Sequence, residues 1–397
     1  MFRVGVGGFE FGPEERQYLN QVIDNNQLSY GPLTQQFERQ IASLHDSRFG
    51  VFMNSGTSAL HIALAALKQR NQWQDGDEVI VPATTFVATA NIVLHNNLKP
   101  VFVDVDPTTY NIDASKIEAA ISNRTRCIIP VHLLGLPCDM DEIVSLAKKY
   151  HLSIIEDSCE TMFATYKGKP VGSFGDIGVF STYVAHFIVT GIGGMAVTRD
   201  PELAVLMRSL MNHGRDGIYM STFDDDDLVG DDLHQVVERR FNFVNLGHSF
   251  RATEMEAALG LGQLAKVDTI ISQRRKNAEY YMNALKPLEN EIQIPFIPED
   301  RTHAFMLYPI VLKKGHKRDL INHLEDHGIE TRDLLPLVNQ PIYKKLGYEL
   351  SGDQFPISWN LIDRAFYIGC HQYLEQEHLD YVVSQITSYF EGRATGQ

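Results

Sequence analysis

Between residues 49 and 156, short apolar runs rich in β-branched residues alternate with stretches whose apolar positions recur at helical spacing. The runs are Phe49–Met53, Glu78–Pro82, Pro100–Val105, Cys127–Val131 and Ser153–Glu156. Between them Ser58–Lys68, Ala88–His95, Ile112–Ile121 and Asp139–Tyr150 read as helices. Strands this apolar are buried on both faces, and strands joined through helices pair in parallel. The expectation is an α/β fold around a mainly parallel sheet. Such sheets bind ligands beyond the carboxyl ends of their strands, so the turn after each run is where chemistry belongs.

A turn at Ser29-Tyr30-Gly31-Pro32 feeds a helix over 33–44, and Ala252–Val267 and Gln273–Leu288 read as further helices. From about residue 270 helices alternate with strands such as Ala304–Leu312, which reads as a smaller α/β domain. At 397 residues the chain exceeds what one hydrophobic core serves. The expected division is a large domain over 1–250, N-terminal segment included, and a small C-terminal domain over 251–397 with its connecting helix. The acidic segment Asp224–Asp232 reads as a solvated loop.

With 35 basic and 50 acidic residues the formal charge is −15, which argues against a nucleic-acid partner but permits a local pocket for a small anion. The four cysteines, Cys127, Cys138, Cys159 and Cys370, contain no CxxC pair, so the sequence offers neither a cysteine metal site nor a disulfide framework. The first residues contain no long apolar segment, and no run reaches the 18 or so apolar residues of a membrane span. A cytoplasmic protein without membrane contact is expected.

Three segments carry candidate chemistry. Asn54-Ser55-Gly56-Thr57-Ser58 opens a helix, where backbone N–H groups and hydroxyls suit either a phosphate or an ordinary helix cap. Asp157, at the end of an apolar run, either holds a protonated ring nitrogen through a charge-assisted bond or caps a helix. Asp176–Gly194 contains Ser181, an isolated His186 and a glycine-rich turn; alone, such a histidine is either core or catalyst.

Taken together, SYGPLTQQFE, NSGTSALHIAL, DEVIVPATTFVATANIV, KPVFVDVDPTTYNID, IIPVHLLGLPCDMDEI, IIEDSCE, GSFGDIGVFS, ATEMEAALGLGQL and GIETR resemble, in order and over nearly the whole chain, the DegT/DnrJ/EryC1/StrS family of sugar aminotransferases. The resemblance implies the type I aspartate aminotransferase fold, pyridoxal 5'-phosphate or its amine form pyridoxamine 5'-phosphate as cofactor, and a homodimer. It implies that Gly56, Thr57 and Ser181 cradle the phosphate, that Phe86 stacks on the ring, that Asp157 pairs with its nitrogen and that Glu160 also meets the cofactor. The family's cross-subunit phosphate-binding asparagine falls on Ser249. His213, Arg215, Arg251 and Arg332 lie in segments that border the active site in relatives and are candidates for a sugar pyrophosphate.

The departure from the family pattern is His186, which occupies the position of the cofactor-anchoring lysine. Imidazole cannot form a neutral imine with an aldehyde, but it can carry a proton near neutrality. Histidine there resembles the family's 3-dehydratase branch, which removes the C3 hydroxyl of nucleotide-linked 4-keto-6-deoxy sugars. One kind of such enzyme needs a four-cysteine iron–sulfur set, absent here; the other uses only the B6 cofactor with L-glutamate as amino donor. The Glu156-Asp157-Ser158-Cys159-Glu160 block also matches the latter. The implied activity is C3 dehydration with His186 as acid and base. The alternatives are a nucleotide-sugar aminotransferase and an inactive cofactor-binding relative, the second in view of Phe187, Ile192 and His248-Ser249, where the family has other residues.

Overall fold

A computed structural model describes residues 3–216, 228–335 and 337–394. In chain order its first strands are β1 (Phe49–Met53), β2 (Glu78–Pro82), β3 (Lys99–Val103), β4 (Thr125–Ile128), β5 (Ser153–Asp157), β6 (Thr165–Tyr166), β7 (Lys169–Pro170), β8 (Ile177–Ser181) and β9 (Gly194–Thr198). All but the β6–β7 hairpin form a seven-stranded sheet ordered β1-β9-β8-β5-β4-β2-β3. From β8 through β5, β4 and β2 to β3 the pairing is parallel. Only β9 is reversed, antiparallel to β1 and to β8. The α/β fold with a mainly parallel large sheet is therefore as the sequence led us to expect.

Helices cover the sheet because its strands expose apolar side chains on both faces. Val79 and Val81 on one face of β2 and Ile80 on the other are fully buried, as are Leu64 and Leu67 of the helix Gly56–Arg70. Each such side chain contributes roughly 1.5–3 kcal/mol on leaving water. The second sheet comprises β10 (Ile292–Gln293), β11 (Leu307–Leu312), β12 (Thr331–Asp333) and β13 (Ala365–Gly369), ordered β10-β11-β13-β12 and antiparallel throughout. It has its own core, with Tyr281, Ile310, Phe366 and Val382. Val4 joins that core and bridges Ile329, so the N-terminal residues run along the second sheet.

Local chemistry moves several element boundaries. The helix expected over Ile112–Ile121 shrinks to Ala114–Ile117 plus a 3-10 turn, because Asp113 caps Ser115 while Ile112 bridges Val105. The run Cys127–Val131 leaves the strand at Ile128, and Val131 bridges Asp157 instead. The strand expected from Ala304 begins at Leu307. Of the acidic segment read as a loop, residues 224–227 lie outside the described residues. Asp231 and Asp232 form the first turn of the helix Gly230–Arg239, where negative charge meets the positive end of the helix dipole.

Candidate active site

Because β9 opposes both β1 and β8, the carboxyl ends of β1, β2, β5 and β8 share one edge of the large sheet. A cavity of about 400 Å³ opens there. Gly56 and Thr57 after β1, Phe86 after β2, Asp157 and Glu160 at β5, and Ser181 and His186 at β8 all line it. Val6, Met306, Leu307, Leu335 and Tyr367 supply the wall on the side of the second sheet. The structure thus gathers seven of the sequence candidates, drawn from four strand ends, around one space.

Its floor is the start of the helix Gly56–Arg70. Ser55 caps that helix, its hydroxyl accepting from Ser58 N at 3.0 Å. The N–H groups of the first turn have no intrahelical acceptor and suit an anion. A Cβ on Gly56 would stand 2.9 Å from Ser181 Cβ and 3.0 Å from Cys159 Sγ, so only glycine lets the helix start close over both residues. A Cβ on Gly194 would stand 2.3 Å from the Ser55 carbonyl, so β9 can underlie this turn only as glycine.

Glu156 and Asp157 are adjacent carboxylates with different surroundings. Glu156 is committed to the fold: it meets His132 Nε2 at 3.1 Å and accepts from the amides of Gly172, Phe174 and Gly175. Asp157 faces the cavity, accepting from Thr89 Oγ1 at 2.8 Å and Cys159 N at 3.2 Å. Burial pushes its carboxyl above the ordinary range despite those donors, because no cation among the described residues pairs with it. Burial pushes Glu160 up to about 7, against an amide bond from Leu134 and helped by the charge of Asp157.

His186 lies in the segment after β8. Burial, reinforced by the nearby Arg274 guanidinium, lowers its imidazole to about 4, so the ring is neutral near pH 7 and able to accept a proton. Its Nδ1 is buried without a hydrogen-bond partner. Arg274, itself buried, donates to the carbonyl oxygens of Met306 at 2.8 Å and His186 at 3.2 Å and so ties the His186 segment to the second sheet. No lysine is among the described residues lining the cavity. Lys167 lies in the β6–β7 hairpin, paired with Asp141.

These features fit a phosphorylated, protonated pyridine. The glycine-floored turn has unpaired donors, Asp157 is a buried carboxylate lacking a cation, and Phe86 presents a ring that is 56% exposed at the cavity. The remaining sequence candidates do not line the cavity of this chain. Ser249, His213 and Arg251 form a separate cluster, Arg251 Nη2 lying 3.2 Å from both His213 Nε2 and Ser249 Oγ. Arg215 donates to the Arg240 carbonyl and lies over the Phe241 and Phe243 rings. Arg332 on β12 pairs with Glu330. Sequence reasoning missed Thr89, Tyr183 and Tyr367. Thr89 had a local signal, one helical turn beyond Phe86; Tyr367 had none, because the second sheet brings it.

A mainly parallel sheet whose strand ends bring a helix N-terminus suited to an anion beside a buried carboxylate fits a pyridoxal-phosphate-dependent enzyme. The chain belongs to the DegT/DnrJ/EryC1/StrS aminotransferase family, whose model matches residues 10–387. It is 33% identical over 402 residues to the lipopolysaccharide biosynthesis protein RfbH of Salmonella typhimurium, covering 98% of this chain and 92% of that one. It is 36% identical over 349 residues to GDP-perosamine synthase of Caulobacter vibrioides, covering 87% and 88%. The structure of E. coli GDP-4-keto-6-deoxy-D-mannose-3-dehydratase with bound hydrated PLP superposes with a TM-score of 0.87 at 28% identity, covering 97% of this chain and 99% of that one. Enzymes of this family modify nucleotide-linked sugars. No helix among the described residues is long and apolar enough to cross a membrane.

Proposed function

We propose that this enzyme removes the C3 hydroxyl of a nucleotide-linked 4-keto-6-deoxy sugar, using L-glutamate as amino donor. The observation that carries this reading is His186 in a cavity lined by no lysine among the described residues. Gly56, Thr57 and Ser181 would hold the cofactor phosphate, Phe86 its ring face, and Asp157 its ring nitrogen. When bound, the cofactor supplies an electron sink conjugated to the reacting carbons.

His186 is neutral in its buried setting and takes up the proton that a lysine handles in the aminotransferases. Glu160, pushed up to about 7, holds a second exchangeable proton in the same space. Without an amine to receive the cofactor in a covalent bond, the cofactor stays by contacts alone, and water completes the release of product. The apolar wall of Leu307, Leu335 and Met306 limits that water.

Amination without dehydration is the second reading, favoured by the likeness to GDP-perosamine synthase. The two separate on product mass. Purified enzyme, cofactor, glutamate and a panel of 4-keto-6-deoxy nucleotide sugars are incubated, and products are followed by mass spectrometry with an ammonia assay. A 3-deoxy keto sugar plus ammonia supports dehydration; an amino sugar that retains its 3-hydroxyl rejects it. A homodimer in which the Ser249 segment of one chain reaches the cavity of the other completes the proposal, and light scattering tests the dimer.

A further inference from the structure

Away from the active-site cavity, three histidines border a second cavity of about 440 Å³, lined also by Lys68, Trp73 and Asn96. His61 belongs to the helix Gly56–Arg70, one turn beyond Thr57, and is 8% exposed. His248 is held by its backbone: its N–H donates to Leu210 O, and its carbonyl accepts from His213 N at 2.7 Å. The His248 ring stacks on Phe250 at 4.8 Å and 11°. It meets the His61 ring nearly at right angles, 84°, with Nε2 facing Nε2 at 3.3 Å. The His95 ring centroid lies 6.2 Å from that of His61.

We propose that His61 and His248 bind one divalent transition-metal ion through their Nε2 atoms, with His95 able to turn in as a third ligand. Two nitrogens each about 2.05 Å from a tetrahedral ion stand about 3.3 Å apart, which is the separation found. Neutral imidazole is the form that ligates. The 440 Å³ cavity leaves room for solvent ligands. As it stands, His95 lies outside a shared ligand sphere, because the one group of three within reach of an ion among the described residues is Glu375, Glu377 and His378. Histidine also suits zinc, copper and nickel over magnesium or calcium.

The site joins two parts of the active-site framework. His61 rides on the helix whose first turn floors the phosphate cradle. His248 lies in the segment that docks on β1, where Asn54 N donates to Phe250 O at 2.8 Å and Arg251 bridges Met53. An ion there pins that segment to the helix.

The test uses the full chain, stripped of metal by chelator and free of pyridoxal phosphate, titrated with Zn²⁺ against a chromophoric chelator. Copper(II) electron paramagnetic resonance is recorded on the same preparation. Expected are one ion per chain, nitrogen superhyperfine splitting from at least two imidazoles, and affinity reduced about tenfold or more in His61→Asn and in His248→Phe. The second variant keeps the stack on Phe250 and guards against a folding defect at buried His61. His95→Gln gives a smaller loss. Unchanged affinity in His248→Phe, or binding abolished by Glu377→Gln instead, overturns the proposal; so does a copper spectrum without nitrogen splitting, which leaves the pair as an imidazole–imidazole hydrogen bond.

Discussion

Replacing Glu160 with glutamine tests the electrostatics of the cavity without changing its shape. In the folded chain burial raises this carboxyl from an ordinary 4.5 to about 7. Below pH 4.5 folded and unfolded chains both hold the proton, and the group has no effect on stability. Between 4.5 and 7 the unfolded chain ionises first, so stability falls as pH rises, and above 7 the loss is complete. At about 1.4 kcal/mol per pH unit of displacement the full loss is about 3.5 kcal/mol. Glutamine cannot ionise and escapes it. The stability of Glu160→Gln relative to wild type should therefore grow by about 2.5 kcal/mol between pH 5 and pH 8.5. Urea unfolding of cofactor-free protein at both pH values measures the difference, in which titrating groups remote from Glu160 cancel while Asp157, coupled to it, contributes a smaller part. Parallel stability curves would show that Glu160 is solvated in the folded chain and would remove it as a proton carrier.

His186→Asn should lower turnover about 10²–10⁴-fold while cofactor affinity, measured by fluorescence quenching, changes little; an equal loss of both would make His186 a binding residue only. Gly56→Ala drives a methyl to 2.9 Å from Ser181 Cβ, a conflict of about 1–3 kcal/mol, and cofactor affinity should fall about tenfold or more in equilibrium dialysis while secondary structure by circular dichroism is retained. Arg274→Met orphans the Met306 and His186 carbonyls, each of which loses a charged hydrogen bond of about 1.5–3 kcal/mol. The variant should unfold at lower urea and lose turnover beyond what the stability change explains.

Five strands of the large sheet were legible because strands buried on both faces must be written as apolar runs, and their starts and ends came within a few residues of the structure; β8 and the reversed β9, broken by glycines and hydroxyl residues, were not read as strands. Misread boundaries came where a side chain overrode the pattern. Asp113 starts its helix late by capping Ser115, and Ile112, apolar like its helical neighbours, serves a β-bridge instead. Cavity groups on strand ends sit in local motifs that drew attention to them (Gly56 and Thr57 in a cap, Asp157 after a run, Ser181 and His186 before a glycine turn), but each motif alone also fitted a structural role, and the family resemblance chose between the two. Contacts between distant segments had no such trace. Thr89 reaches Asp157 across 68 residues, and Arg274 reaches the His186 carbonyl across 88. Ser249, His213 and Arg251 have the residue types of a phosphate site, yet in this chain they bond one another outside the cavity lining.

The most direct measurement is borohydride reduction of the cofactor-loaded enzyme, followed by peptide mass spectrometry. With an imidazole at position 186 and no lysine among the described residues lining the cavity, the expected result is cofactor lost on denaturation and no peptide carrying the pyridoxyl mass. A pyridoxyl group fixed on a lysine of this chain in stoichiometric yield would contradict a cofactor held by contacts alone, and with it the assignment of His186 as the residue that replaces the anchoring amine.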